Sequence, residues 1–122
     1  MMARRLAAIT ATIGTLIVHP SGAHAMRRVH RTYHGGAPAM EAAIEATWPV
    51  RLHRQAKDVA WCESGGSASA HRPGSQYRGT FQLGHEIWRT FGRGNVWSSR
   101  DNSASAYRAY QARGWSPWSC TP

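Results

Sequence analysis

One of the six acidic residues in this 122-residue chain has a position that is unusual for a carboxylate. Glu63 continues an apolar helix face that is formed by Leu52, Ala56, Val59 and Ala60. An apolar wall and the negative end of a helix dipole both disfavour an ionised carboxylate, so we expect Glu63 to retain its proton near neutral pH. Such a carboxyl group can serve as a general acid. The alternative is a frayed helix end with a solvated, inert carboxylate.

The first 25 residues have the pattern of an export signal. A basic stretch ends at Arg5, an apolar segment continues to Val18, and Ala23-His24-Ala25 has small residues where a signal peptidase requires them. The apolar segment is too short to span a bilayer. The sequence therefore predicts a secreted or cell-wall protein, cleaved after Ala25, without stable membrane insertion.

The chain is strongly basic, and export narrows the choice of partners. Removal of residues 1–25 takes away Arg4 and Arg5 and no acids, so the formal net charge falls from +9 to +7. A basic exported protein suits a polyanion such as an anionic cell wall, and we expect no nucleic-acid partner. The charge is equally compatible with a role in solubility alone. We expect a monomer.

Both cysteines, Cys62 and Cys120, follow the predicted export signal. An even count in an oxidising compartment favours one disulfide. In the chain-entropy model, closing a loop of this length contributes roughly 4 kcal/mol to the free energy of unfolding. The alternative is two free thiols, one of them catalytic, but no sequence feature pairs either cysteine with a histidine.

Residues 26–37 are expected to form a basic, flexible arm, because they have almost no apolar side chains to bury. His30 and His34 are four residues apart, but they lack a third ligand and precede a glycine pair, so we predict no metal site. The folded domain is predicted to span residues 38–122 and to begin at Pro38, a favourable first residue of a helix.

Periodicity and stop signals predict four helices in this domain, with no strand pattern and no internal repeat. The first ends at Trp48-Pro49, the second covers about 50–64 and presents Glu63, and Gly65-Gly66 stop it. The third carries Leu83, Ile87, Trp88 and Phe91, and the fourth has N-cap candidates at 98–102 and an apolar face of Ala106, Tyr107 and Tyr110. The predicted fold class is all-α, or α with minimal β.

Six tryptophans are a large number for so short a chain. Core packing is the expected role of most of them. A small helical domain cannot bury all six together with the four tyrosines, so we expect some aromatic rings to line a groove. Flat rings beside amide and hydroxyl groups suit sugars, which have apolar faces and polar rims.

Three segments together resemble the lysozyme-like lytic transglycosylase domain of secreted actinobacterial proteins and the related resuscitation-promoting-factor catalytic domain. They read V-A-W-C-E-S-G-G at 59–66, Y-R-G-T-F-Q-L at 77–83 and G-W-S-P-W-S-C at 114–120, with Trp88 between the last two. The resemblance covers roughly residues 40–120. It implies a small lysozyme-like helical domain that cleaves the MurNAc-GlcNAc β-1,4 bond of peptidoglycan glycan strands without metal or cofactor.

The resemblance also implies roles for individual residues. It assigns the catalytic carboxyl group to Glu63, the disulfide to Cys62 and Cys120, and substrate contacts to Gly79, Phe81 and Gln82. We add Tyr77, which begins the second segment, to the substrate-binding candidates. The family's Asp-Asn pair falls on Asp101 and Asn102. Thr80 replaces a common Leu or Gly, and the loop 67–76 is atypical, so position alone gives no role to Ser64, His71 or Tyr77.

The distribution of acids favours a mechanism with one carboxyl group. Two-carboxylate glycosidases hold an acid on each side of the scissile bond, yet no Asp or Glu occurs from Ser64 to His85. Glu41, Glu45, Asp58 and Glu86 are interpreted as surface charges of helices. Three hypotheses remain: lytic transglycosylation by Glu63, hydrolysis in which Glu86 or Asp101 positions water, and a non-catalytic wall-binding or growth-signalling protein.

Overall fold

The computed structural model describes residues 31–122. The predicted export signal, its cleavage site after Ala25 and the first part of the predicted arm, including His30, lie outside the described residues. Within 31–122, no helix combines the length and the apolar character that a membrane crossing requires.

Four α-helices and one 3-10 helix account for the regular structure of residues 31–122. They are α1 (Pro38–Thr47), a 3-10 helix (Val50–Leu52), α2 (His53–Ser64), α3 (His85–Phe91) and α4 (Ser99–Arg113). The β-type pairing in this part of the chain is a single antiparallel bridge between Arg78 and Leu83. The all-α prediction with one disulfide is therefore confirmed.

The helix ends follow from local sequence. Pro38 occupies the first turn of α1, where its missing N–H costs no hydrogen bond. Gly65 ends α2 in a left-handed conformation with φ 64°, which glycine adopts without a Cβ clash. Ser98 caps α4 by accepting a hydrogen bond from Asp101 N at 3.2 Å. The predicted second helix differs only in its first turn, which is 3-10 after Pro49.

The core lies where α1 and α4 pack against each other. Trp48, just after α1, is buried, and its ring stacks on Phe81 at 5.5 Å and on Trp115 at 5.6 Å between centroids. Its indole nitrogen donates to Ser103 O at 3.1 Å. The predicted role of tryptophan in the core is thus confirmed for Trp48, and Trp118 is buried beside it.

The buried face of α4 is more polar than predicted. Its buried residues are Asn102, Ser103, Ser105, Ala106 and Ala109, whereas Tyr107 and Tyr110 are half-buried and flank Trp48. Small side chains allow two helices to approach closely. The hydroxyl of Ser103 is paired with that of Thr47 at 2.7 Å, which offsets the cost of its burial.

The described end of the predicted arm contacts the folded domain, and the prediction for Asp58 is wrong. The described end of the arm is anchored, because Tyr33 packs on Trp61 with 5.3 Å between ring centroids and its backbone nitrogen donates to Asp58 Oδ1 at 2.8 Å. Asp58 is not a surface charge, since only 6% of it is exposed. The Tyr33 hydroxyl also accepts a hydrogen bond from Ala37 N at 2.7 Å, so this segment forms part of the fold.

Candidate functional site

A cleft of about 700 Å³ begins where α2 ends. The end of α2, the loop between α2 and α3, and the tail after α4 form its walls. Residues from all three segments line it: Glu63, Ser64, Ala70, His71, Arg72, Ser75, Tyr77, Gln82, Ser116, Pro117, Trp118 and Ser119. Glu63 is the one acidic residue in this lining.

The two carboxylate oxygens of Glu63 have different surroundings. Oε1 accepts hydrogen bonds from Cys120 N at 3.0 Å and from Ser119 Oγ at 3.2 Å. Oε2 has no hydrogen-bond partner within the part of the chain that the structure describes. The tail therefore fixes the carboxylate through one oxygen and leaves the other available to a ligand in the cleft.

The disulfide brings the tail to Glu63. Cys62 and Cys120 are bonded, with 6.1 Å between their Cα atoms, which confirms the predicted pairing. In the sequence, Cys62 precedes Glu63 and Ser119 precedes Cys120, so the disulfide lies next to both partners of the Glu63–Ser119 hydrogen bond. Sequence reasoning missed Ser119, although a signal was present, because residues next to bonded cysteines must lie close together.

The surroundings of Glu63 are more polar than its helical periodicity suggests. The apolar face that precedes it is buried, as predicted, at Leu52, Ala56, Val59 and Ala60. Glu63 itself lies one turn further on, is half-buried and reaches the cleft, where two donors contact its carboxylate. Its role as a general acid stays a prediction.

Gln82 lines the cleft and has an unusual backbone conformation. Its φ of 50° makes it the one non-glycine residue with positive φ in residues 31–122, a conformation that costs on the order of 1–3 kcal/mol. The side-chain nitrogen donates to Ala70 O at 2.9 Å and to Gly79 O at 3.0 Å. These bonds hold the amide in the cleft wall, and its contact with substrate stays a prediction.

Gly79 and Phe81 lie behind the cleft rather than on its surface. Gly79 is buried with φ 76°, and a Cβ there would lie 2.5 Å from Asn102 Nδ2. The side chain of Phe81 is fully buried in the core. The Phe81 side chain is therefore not available to a substrate in this structure, and Gly79 has only backbone to offer. Both residues support the wall that carries Gln82.

Tyr77 and Trp118 offer aromatic surface to the cleft. Tyr77 is 47% exposed. Trp118 is mostly buried, and its indole nitrogen donates to Phe81 O at 2.9 Å, but part of it contributes to the lining. On the same cleft, His71 Nε2 is 2.9 Å from Ser75 O, and the ring meets Trp97 edge-on at 5.8 Å between centroids.

A second cavity of about 290 Å³ adjoins the cleft. The two share the residues Tyr77, Gln82, Ser116, Pro117 and Trp118. Glu86 and Arg113 line the second cavity and form an ion pair of 3.1 Å. Glu86 is exposed, as predicted. It also forms part of the lining of this cavity.

Asp101 and Asn102 lie away from both cavity linings. Asp101 Oδ2 accepts a hydrogen bond from Asn95 N at 2.9 Å. Asn102 is fully buried, and its Oδ1 accepts from Phe81 N at 2.8 Å. Its Nδ2 donates to Val96 O at 3.0 Å and to the carbonyl of Arg78 at 3.2 Å. Asn102 thus stabilises the turn that precedes α3, and Asp101 stabilises the loop between α3 and α4.

No family model, characterised protein or solved structure matches this chain. Among residues 31–122, no group of three His, Cys, Asp or Glu side chains could hold a metal ion. The chemical interpretation therefore depends on the cleft itself and on the residues that line it.

Proposed function

We propose that the chain is a secreted peptidoglycan lytic transglycosylase in which Glu63 is both acid and base. One observation carries the proposal: Glu63 is the single carboxylate in the lining of a large cleft, with Oε1 held by the tail and Oε2 available. The segment resemblance supports the choice of substrate, the glycan strands of the cell wall.

The proposed reaction needs one proton-transferring group. Protonated Glu63 donates its proton to the glycosidic oxygen as the bond between that oxygen and C1 of N-acetylmuramic acid breaks. The carboxylate then accepts the proton of the muramyl C6 hydroxyl as its oxygen bonds to C1, which closes a 1,6-anhydro ring and restores the acid. The hydroxyl belongs to the same sugar, so its effective molarity is on the order of 10⁵ M or more.

The composition of the cleft lining supports this choice of substrate. Tyr77 and Trp118 supply aromatic surface, and the Gln82 amide supplies a fixed polar group. Arg72 adds positive charge to the same wall, which suits the anionic cell wall. Sugar-binding sites combine apolar surface with a few well-placed polar groups in this way.

Hydrolysis is the second candidate, and the structure favours Glu86 over Asp101 as its second carboxylate. Glu86 borders the cavity next to the cleft, whereas Asp101 is bonded to Asn95 N and is absent from both linings. A muramidase would use the second carboxylate to activate water, and its products would carry reducing ends.

Product analysis tests the proposal. Purified peptidoglycan is digested with the protein, and the released glycans are identified by mass spectrometry. We expect chains that end in 1,6-anhydro-N-acetylmuramic acid, lighter by one water than a reducing end. Reducing ends alone would identify a hydrolase. If sedimentation shows wall binding but no glycan is released, the protein is a non-catalytic wall-binding protein.

A further inference from the structure

The cavity next to the cleft has a built-in pair of opposite charges. Glu86, in the first turn of α3, and Arg113, the last residue of α4, meet across its rim at 3.1 Å. Their side chains are 66% and 40% exposed, so the pair contributes little to folding. The Arg113 guanidinium also lies over the Phe91 ring at 5.4 Å, which restricts its orientation.

The remaining lining complements these charges with an apolar floor. Leu83, Ile87 and Pro117 contribute to it. Five residues, Tyr77 and Trp118 among them, line both spaces, so the cavity lies directly beside the cleft. A small cavity directly beside a larger cleft suits a branch of a substrate bound in that cleft rather than a separate molecule.

We propose that this cavity is a subsite for the peptide stem of peptidoglycan, which branches from the muramic acid at the scissile bond. In this subsite Arg113 binds a stem carboxylate through two parallel N–H···O bonds. Glu86 binds the side-chain ammonium of a diamino acid in the same stem. When the ligand binds, the ion pair between Arg113 and Glu86 is thus replaced by two ion pairs, one between each side chain and the ligand. This inference depends on the proposed function, since it assumes a muramic acid beside Glu63.

A comparison of two substrates tests the subsite. Glycan strands with intact stems and strands stripped of stems by an amidase are digested by the wild type, Arg113→Gln and Glu86→Gln. We expect the wild type to prefer stem-bearing strands by about 10-fold in kcat/KM, mainly through KM, as for a charge-assisted contact. Both variants should lose most of this preference.

The chain supplies a matched control. Glu45 and Lys57 form an exposed ion pair of 2.8 Å between α1 and α2, and neither residue lines the cleft or the cavity. Glu45→Gln and Lys57→Gln should retain the wild-type preference for stem-bearing strands. If the wild type, the two cavity variants and these controls all show the same degree of preference between the two substrates, the subsite is overturned. The proposed function would remain intact.

A binding measurement covers the case in which neither substrate is cleaved. A soluble stem tripeptide that contains a diamino acid is titrated against the wild type and Arg113→Gln by NMR. Shifts at cavity residues that Arg113→Gln abolishes would support a peptide site even if the proposed function fails. Absence of such shifts in the wild type would overturn the proposal.

Discussion

The start of α4 and the end of α2 each carry a polar side chain, and the hydrogen bonding of these two side chains differs. At the start of α4, the Asn102 amide is fully buried, and both of its polar atoms bond to backbone within the fold. At the end of α2, the Glu63 carboxylate is held at Oε1 but has no partner at Oε2 within residues 31–122. A polar group whose bonds are all internal stabilises the scaffold, whereas one that keeps an available atom in a cleft is a candidate for chemistry.

The two ends are connected through the turn that carries Gln82. Asn102 holds this turn by accepting from Phe81 N, and the Phe81 carbonyl accepts from the Trp118 indole on the opposite side. Ser64, next to Glu63, donates to Thr80 O at 2.6 Å. The scaffold at α4 therefore sets the shape of the cleft, and the carboxylate at α2 lies at its edge.

The largest effect is expected for Glu63→Gln. Glutamine keeps the shape but removes the transferable proton, and loss of a general acid typically costs about 10²- to 10⁴-fold in rate. We expect at least this loss in glycan release, because the same group acts twice, with little change in melting temperature. Glu45→Gln, an exposed acid outside the cleft, should retain activity. Turnover near the wild-type rate in Glu63→Gln would refute the assignment.

Removal of the disulfide should produce the next largest effect. The bond between Cys62 and Cys120 closes a loop with a sequence separation of 58, worth roughly 4 kcal/mol in the chain-entropy model. The double variant Cys62→Ala/Cys120→Ala, or the reduced wild type, should melt at a clearly lower temperature by calorimetry. Activity should also be reduced at temperatures well below the melting temperature, because the tail donors to Glu63 are no longer tethered. An unchanged melting curve after complete reduction would contradict this.

Asn102→Ala should separate stability from chemistry. The variant leaves Phe81 N and the carbonyl of Val96 without their partner, whereas the carbonyl of Arg78 keeps the bond from Leu83 N. Each buried unsatisfied group costs about 1–3 kcal/mol. We expect a loss of about 3 kcal/mol or more in denaturant unfolding. At temperatures where the variant is folded, its loss of activity should be far smaller than that of Glu63→Gln. The reverse result, full stability without activity, would make Asn102 part of the reacting site.

Much of the helical scaffold could be predicted because local signals determine it. Pro38 and Gly65 mark helix ends through backbone geometry, and Ser98 does so through its side-chain hydroxyl. The count of two cysteines together with the export signal was enough to predict the disulfide. The buried face of α4 could not be found from hydrophobic periodicity, since its polar residues are satisfied by partners distant in sequence, such as Thr47 for Ser103.

Part of the candidate site could also be predicted from the sequence. Glu63 was predicted from helical periodicity and Gln82 from the family resemblance, and both line the cleft. Phe81 was predicted from the same segment, but its side chain is fully buried in the core, where it packs on Trp48 and Trp118. The anchoring of Tyr33 by Asp58 was also missed, since a buried acid that accepts from backbone has no signature in periodicity.

The smallest effect is expected for Ser119→Ala, which tests whether the tail positions the carboxylate. The change removes the 3.2 Å hydrogen bond from Ser119 Oγ to Glu63 Oε1 but keeps the 3.0 Å bond from Cys120 N. A single such bond contributes about 1 kcal/mol, so kcat should fall by roughly 3- to 10-fold with KM nearly unchanged. Ser119→Thr retains a hydroxyl and should restore most of the rate. If the alanine and threonine variants are equally impaired, the hydroxyl has no positioning role, and the backbone of the tail alone orients Glu63.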